Sequence, residues 1–124
     1  MTAVVEHDPI LVVDDQEAVR ATVADVLRSV GYTVVESGDG LDALAMLNAR
    51  PFEAMVLDLR MPRLGGAELL EALPAPPPTV VLSAGELDAH DLERMGSGVR
   101  AQLRKPVSPQ RLIDAVRDAV QSGV

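Results

Sequence analysis

The sequence predicts an α/β domain built on a doubly wound parallel sheet, and three observations support that prediction. Short apolar runs rich in β-branched residues alternate five times with segments of helical periodicity. Four of the runs are almost continuously apolar, as expected of strands buried on both faces of a parallel sheet. The apolar stretches of the first, third, fourth and fifth runs give way to Asp14, Asp58, Ser83 and Lys105, respectively. A βα repeat with right-handed crossovers collects such residues at the carboxyl ends of the strands.

The predicted strands differ in how polar they are. The four apolar runs are "PILVVDD", "TVVES", "EAMVLDL" and "TVVLSAG". The fifth, "VRAQLRK", alternates polar Arg100, Gln102 and Arg104 with apolar neighbours, a pattern that indicates a strand at the sheet edge.

The segments between the strands predict five helices, at 17–30, 39–49, 67–73, 88–95 and from Pro109 onward. In the first, the apolar residues at helical spacing are Val19, Val23, Val26, Leu27 and Val30, and Gly31 stands where the helix should stop. In the second, Leu44 and Leu47 should face inward, and the third should end early, because "PAPPP" follows it. The fourth is weakly patterned. The last has Ser108 as N-cap and should bury Leu112, Ile113, Val116 and Val120.

Length and composition place limits on the function. A chain of 124 residues, 48% of them apolar, fits one domain over 1–124 with a structured core of about 8–121. The absence of cysteine excludes disulfides and thiolate metal sites, and it agrees with a reducing compartment. Nineteen acidic against eleven basic residues, with two aromatic ones, argue against direct nucleic-acid binding. No apolar run approaches the roughly 20 residues that span a bilayer, and "MTAVVEHD" is no signal peptide, so we expect a soluble, cytoplasmic chain without a membrane partner.

The polar residues at the strand ends predict one pocket. Asp14 and Asp15 end the first strand, Asp58 the third, Ser83 the fourth and Lys105 the fifth, so parallel strands would place all five at one edge of the sheet. Lys105 is the single lysine in a chain that otherwise uses ten arginines, which suggests a specific role for a compact charge. The duller alternatives are that Asp14 and Asp15 only cap the next helix, that Ser83 is a turn residue and that Lys105 is a surface charge.

Clustered carboxylates favour a bound cation, because each close pair repels by about 1 to 4 kcal/mol. Oxygen ligands without histidine or cysteine point to Mg²⁺. Beside such an ion a carboxylate can attack phosphorus and become an aspartyl phosphate, while a lysine and a hydroxyl stabilise the phosphoryl oxygens.

These residues resemble the receiver domains of two-component response regulators over essentially the whole chain. The resemblance rests on four blocks in order, "VVDD" at 12–15, "VLDLRMP" at 56–62, "VLSAG" at 81–85 and "LRKP" at 103–106, with Gly66 after the second. It implies a flavodoxin-like fold with strand order 2-1-3-4-5 and five flanking helices. It also implies a phosphoacceptor switch that takes its phosphoryl group from a sensor histidine kinase or phosphotransfer domain. The output partner or fused effector domain is left unknown, and a homodimer stays open.

The resemblance assigns a role to each site residue. Asp58 would be the phosphoacceptor, and Asp15 and Asp58 would bind Mg²⁺ directly, with Asp14 acting through water and the backbone carbonyl of Arg60 as a further ligand. Ser83 would swing toward the phosphoryl group, with small Ala84 leaving room, and Lys105 would pair with it. The Lys105–Pro106 bond would be cis. Such a domain catalyses its own phosphorylation and dephosphorylation without being a conventional turnover enzyme.

The sequence departs from the family pattern in three places. Gln102 stands where the family has an aromatic switch residue, the segment 66–79 is short, and Arg100 and Arg104 form a basic stripe that is either a docking surface or protection of a sheet edge. Gln102 keeps open a receiver-like binding module that does not switch. A second alternative is an aspartyl phosphatase, but such enzymes place an acid two residues after the nucleophile, where this chain has Arg60.

Overall fold

The computed structural model describes residues 7–61, 63–85, 90, 93 and 96–122 of the chain. Within these residues the strands are β1 (Ile10–Val13), β2 (Val34–Ser37), β3 (Ala54–Asp58), β4 (Thr79–Ser83) and β5 (Val99–Arg104). The α-helices are α1 (Glu17–Ser29), α2 (Gly40–Ala49), α3 (Gly66–Glu71) and α4 (Pro109–Ser122). A 3₁₀ turn, Gly96–Gly98, leads directly into β5.

The five strands form one parallel sheet in the order β2-β1-β3-β4-β5, which confirms the predicted topology. Each step away from β1 is a parallel pairing, so every strand ends at the same edge. The reversal of strand order between β1 and β3 creates the crevice in which doubly wound sheets place their ligands. β5 is an edge strand, and its residues alternate between half-buried and exposed, as its sequence predicts.

The helices cover both faces of the sheet, and a separate apolar core lies under each. Ile10 and Val12 point into the core that α1 and α4 close, whereas Leu11 and Val13 point into the core under α2 and α3. All four of these β1 side chains are at most 1% exposed. Burial on both faces explains why the strand sequences lack alternation, because there is no solvent face for a polar residue to occupy.

The first and last helices agree largely with their sequence patterns. Gly31 follows α1 with a φ of 100° and donates its N–H to the Arg28 carbonyl at 3.0 Å, which is a common helix end. Val30, however, is 45% exposed rather than packed with the other apolar residues of α1, because the helix ends at Ser29. In α4, Ser108 Oγ accepts from the Arg111 N–H at 3.5 Å, in agreement with its predicted N-cap role.

Four of the five predicted helices have bounds within the described residues. The other, at 88–95, lies almost entirely outside those residues, and its two described positions, His90 and Glu93, are helical. The third helix is short, as its proline-rich flank predicts, at six residues. In α2, Leu44 and Leu47 are half-buried against the core, and the fully buried side chain is that of Ala43. None of the described helices is long and apolar enough to cross a membrane.

Candidate functional site

The carboxyl edge of the sheet brings together four of the five side chains that the strand ends predict. In the strand register, Val13 pairs with Leu57 and Asp58 pairs with Leu82, so the ends of β1, β3 and β4 are level. The backbone N–H of Lys105 donates to the Ser83 carbonyl at 2.8 Å, which brings the chain after β5 to the same edge. The pairing of the strands therefore places side chains that are far apart in sequence in one crevice.

Three carboxylates form the floor of this crevice. One carboxylate oxygen from each of Asp14, Asp15 and Asp58 lies within 4.8 Å of the other two. Asp14 is fully buried and Asp58 is 4% exposed, whereas Asp15 is exposed. Two charges at such a separation repel by about 3 to 4 kcal/mol at an effective dielectric constant of 20. The cluster therefore stores electrostatic repulsion that a cation would relieve.

The cluster fits a hard divalent cation such as Mg²⁺. All its donors are carboxylate oxygens, which this class of ion prefers. Asp14 Oδ2 is buried and accepts no hydrogen bond. Lys105 Nζ lies 3.1 Å away and forms an ion pair with it, but the angle between the two groups does not suit a hydrogen bond. The exposure of Asp15 leaves one side of the cluster open to water, which Mg²⁺ retains when proteins bind it.

Lys105 supplies the positive charge of the site. Its Nζ lies 3.1 Å from Asp14 Oδ2 and 3.4 Å from Asp58 Oδ1, and it donates to Gln16 Oε1 at 3.3 Å. The side chain is 17% exposed, so it is not a solvated surface charge. The bond to Pro106 is cis. A single ammonium thus faces two buried carboxylates.

The surroundings of Asp58 fix the position of its carboxylate and shift its pKa. The pKa of its carboxyl is raised from 3.8 to about 6, first by burial and then by the negative charge of Asp14, while the Lys105 ammonium and the Arg60 backbone N–H oppose the rise. That N–H donates to Asp58 Oδ1 at 3.3 Å, and the Arg60 side chain is exposed. At neutral pH the carboxylate is mostly ionised and hence nucleophilic.

Ser83 lies beside the cluster but its hydroxyl is engaged elsewhere. Ser83 Oγ donates to the Gly85 carbonyl at 2.7 Å, so the hydroxyl bonds to its own loop rather than to Asp58 or Lys105. Ser83 is 8% exposed and Ala84, which follows it, is exposed. A hydroxyl in this state must break a hydrogen bond before it can donate to a group bound at Asp58.

The helix-capping alternative for the aspartates does not describe their contacts. The N-cap of α1 is Gln16, and its side chain makes no capping bond. Asp14 Oδ1 accepts from the Gln16 N–H at 2.9 Å, ahead of the first helical turn, and Asp15 carries no capping bond. The two aspartates are therefore directed to the crevice rather than to the helix end.

Two site residues were missed in the sequence. Gln16 bonds Lys105, and Arg20 Nη1 donates to the Asp14 carbonyl at 2.9 Å. Both lie on the α1 side of the loop after β1, four residues apart and therefore on one helix face. That spacing was the available signal, but a glutamine and an arginine at the start of an amphipathic helix are also ordinary surface residues.

Comparison with known proteins agrees with this geometry. Residues 10–117 match the model of the response regulator receiver domain family. The chain is 36% identical over 111 residues to the response regulator MprA of Mycobacterium ulcerans, a match that covers 87% of this chain and 48% of that protein. It is 34% identical over 116 residues to the transcriptional regulatory protein UhpA of Salmonella typhimurium, covering 92% of this chain and 59% of that one. The chain thus spans about half the length of the curated relatives it matches.

Solved structures show the same fold. The receiver domain of the Francisella response regulator 1452 superposes with a TM-score of 0.84 at 28% identity, covering 94% of this chain and 98% of that one. The chemotaxis response regulator CheY4 of Vibrio cholerae superposes with a TM-score of 0.81 at 25% identity, covering 92% and 99%.

Proposed function

Because this chain belongs to the response regulator receiver domain family, a family of phosphoacceptor signalling modules, we propose that Asp58 takes a phosphoryl group from a sensor histidine kinase or a phosphotransfer domain. The observation that carries the proposal is the surroundings of Asp58. Its carboxylate is buried beside two others and lies 3.4 Å from the one lysine of the chain. The lack of cysteine fits a cytoplasmic location for this reaction.

In the proposed reaction, an Asp58 carboxylate oxygen attacks the phosphorus of a phosphohistidine. The P–N bond breaks as the new P–O bond forms, and the imidazole leaves with the electron pair. Lys105 would pair with a phosphoryl oxygen, because its Nζ already lies beside Asp58 Oδ1. Asp15, Asp58 and the Arg60 carbonyl would bind Mg²⁺ directly and Asp14 would bind it through water, and the ion would supply positive charge to the phosphoryl oxygens.

The switch would follow from Ser83. To donate to the phosphoryl group, its hydroxyl must release the Gly85 carbonyl, which frees the loop after β4 to rearrange. Phosphorylation would then shift the equilibrium between two loop conformations and change partner binding, until slow hydrolysis resets it. We place the switching loop at 83–90, and its residues 86–89 lie outside the described part of the chain.

A labelling experiment tests this proposal. The protein is incubated with Mg²⁺ and acetyl phosphate, and the intact mass should rise by one phosphoryl group; with EDTA present it should not. Beryllofluoride should shift the amide resonances of Ser83 and Gly85. Labelling of Asp58→Asn at the wild-type rate would disprove the site assignment.

A receiver-like module that binds partners without switching is the second candidate. Gln102 is exposed on β5, where its register partner is Val81. It is neither aromatic nor buried, so it does not fit the role of the aromatic switch residue that the family has at this position. This alternative predicts no mass increase with acetyl phosphate and no chemical-shift changes near Ser83 when beryllofluoride is added. The phosphatase alternative is disfavoured because the position two residues after Asp58 holds Arg60 instead of the carboxylic acid that such an enzyme uses as its general acid. Turnover of small phosphomonoesters would revive it.

The relatives support a proposal about the partners of the switch. UhpA is a transcriptional regulatory protein longer than this chain, which supports an effector domain or a separate output partner as the receiver of the signal. A homodimer is the other proposed assembly. The exposed Arg100 and Arg104 on the edge strand are the candidate contact surface in an acidic chain.

A further inference from the structure

An arginine from α1 holds the main chain between the first two aspartates. Arg20 Nη1 donates to the Asp14 carbonyl at 2.9 Å. This carbonyl belongs to the peptide unit that joins Asp14 to Asp15, and because that unit is planar, holding its oxygen also holds the Asp15 nitrogen. One bond from Arg20 therefore helps to set the directions of two neighbouring carboxylates.

Arg20 is itself confined. Its Nε lies 3.5 Å from Glu36 Oε1 on β2, and the other oxygen of Glu36 lies 3.2 Å from Arg28 Nη1. The Arg20 side chain is 20% exposed, and a Cβ at Gly38 would lie 3.0 Å from its Nη1. The planar guanidinium can reach Glu36 and the Asp14 carbonyl together, which a point-charge ammonium cannot do in the same way. Arg20 thus ties the loop after β1 to both α1 and β2.

The two aspartates differ in how far other contacts restrain them. Asp14 is also held by its N–H, which donates to the Ser37 carbonyl at 3.1 Å, and by Oδ1, which accepts from Gln16. Asp15 is exposed, and among the described residues we find no hydrogen bond or ion pair to its carboxylate. The peptide unit that Arg20 holds is therefore the main restraint on Asp15.

We propose that Arg20 is a positioning residue for the divalent-cation site. It does not touch the ion, but it holds the Asp14–Asp15 peptide so that both carboxylates converge on Asp58. This inference rests on the proposed function, because it takes the carboxylate cluster to be a cation site. If Arg20 acted only through its charge, the effect on Mg²⁺ affinity would have the opposite sign. A positive group near the cluster repels Mg²⁺, so its removal would tighten binding.

The test compares Mg²⁺ affinity, measured by calorimetry, in Arg20→Met and Arg28→Met. Loss of a group that orients metal ligands costs 10- to 100-fold in affinity, so we expect Arg20→Met to bind Mg²⁺ about tenfold more weakly. Arg28→Met removes the same charge from the same helix and the same Glu36 partner, but Arg28 bonds the Val34 carbonyl instead of Asp14. Its Mg²⁺ affinity should stay at the wild-type value.

A kinetic readout separates positioning from general damage. At saturating Mg²⁺ the labelling rate of Arg20→Met with acetyl phosphate should return close to the wild-type rate, because Asp58, Ser83 and Lys105 are intact. Arg20→Lys, which keeps the charge but not the fork, should show an intermediate affinity. If Arg20→Met does not fold, Arg20→Lys against Arg28→Lys carries the same comparison.

Three outcomes decide the matter. Weaker binding in the Arg20 variants alone supports the inference. Equal or tighter binding in Arg20→Met than in Arg28→Met, or a rate that saturating Mg²⁺ does not restore, overturns it and leaves the proposed function standing. A wild-type protein without Mg²⁺ affinity overturns both.

Discussion

The ammonium of Lys105 lies 3.4 Å from Asp58 Oδ1, at the ends of two strands that are not neighbours in the sheet. It also lies 3.1 Å from Asp14 Oδ2, so one cation serves two carboxylates that burial would otherwise penalise. This ion-pair geometry ties the stability of the metal-free protein to the chemistry of the site.

Removing the Lys105 ammonium should therefore lower both the stability of the metal-free protein and its labelling rate. Lys105→Met leaves the buried carboxylates of Asp14 and Asp58 without a positively charged partner, and we expect a loss of about 3 kcal/mol in the free energy of unfolding at pH 7 in EDTA, measured by urea titration. The labelling rate should fall about 100-fold, as when one charge-stabilising donor is removed. Arg104→Met is the matched control, because Arg104 is the exposed neighbouring cation. Equal losses in both variants would contradict the role of Lys105.

Removing the charge of Asp58 should stabilise the metal-free protein. An isosteric amide in Asp58→Asn removes both the desolvation cost and the repulsion from Asp14 that raise the pKa. A rise of about two pKa units corresponds to about 1 to 3 kcal/mol, which the variant should gain at pH 7 in EDTA. Asp118→Asn, on the exposed face of α4, should gain nothing. Unchanged stability of Asp58→Asn would mean that the carboxylate is not strained.

The pH dependence of that difference follows from its sign. The pKa of Asp58 is raised from 3.8 to about 6, so the folded state binds the proton more tightly than the unfolded chain. Protonation of Asp58 therefore stabilises the fold fully below 3.8, the pKa of this carboxyl in the unfolded chain, and this stabilisation is lost as the pH rises through about 6. In EDTA, the advantage of Asp58→Asn over wild type should shrink steadily from pH 7 to pH 4. An advantage that grows on acidification would refute the raised pKa.

The Ser83 hydroxyl should matter for the response more than for the fold. Ser83→Ala loses one hydrogen bond to the Gly85 carbonyl, worth about 1 kcal/mol at most in net stability. It should still label at Asp58 but lose the beryllofluoride-induced shift of the Gly85 amide in NMR spectra. Ser83→Thr keeps a hydroxyl and should retain that shift. An unaltered response of Ser83→Ala would exclude the hydroxyl from the switch.

Gly66 should be intolerant of any side chain. A Cβ at this position would lie 2.8 Å from the Asp58 carbonyl oxygen and 2.9 Å from Leu59 Cα, so the backbone of α3 must move away from the site. We expect Gly66→Ala to lose about 1 to 3 kcal/mol in thermal or urea unfolding. A Cβ at Gly85 meets nothing within 4 Å, so Gly85→Ala should unfold like the wild type. Similar stability of the two variants would show that the α3 turn can adjust.

The accuracy of the sequence-based predictions varied with the kind of signal. The sheet and the edge position of β5 were predicted correctly, because apolar continuity and alternation report burial directly. The inward face of α2 was predicted in part: both predicted leucines, Leu44 and Leu47, pack half-buried against the core, but the fully buried side chain is that of Ala43. Small residues carry little hydrophobic signal, yet they fit where a helix lies close against a sheet.

The amino-acid sequence by itself determined the order of strands and helices and the chemical types at the strand ends, because local periodicity and residue chemistry suffice for both. Only the tertiary structure decided which of those groups touch. It paired Lys105 with two aspartates, turned the Ser83 hydroxyl toward Gly85, and brought Arg20 onto the Asp14 carbonyl. Such contacts depend on strand register and side-chain direction across the whole sheet, which no local stretch of sequence encodes.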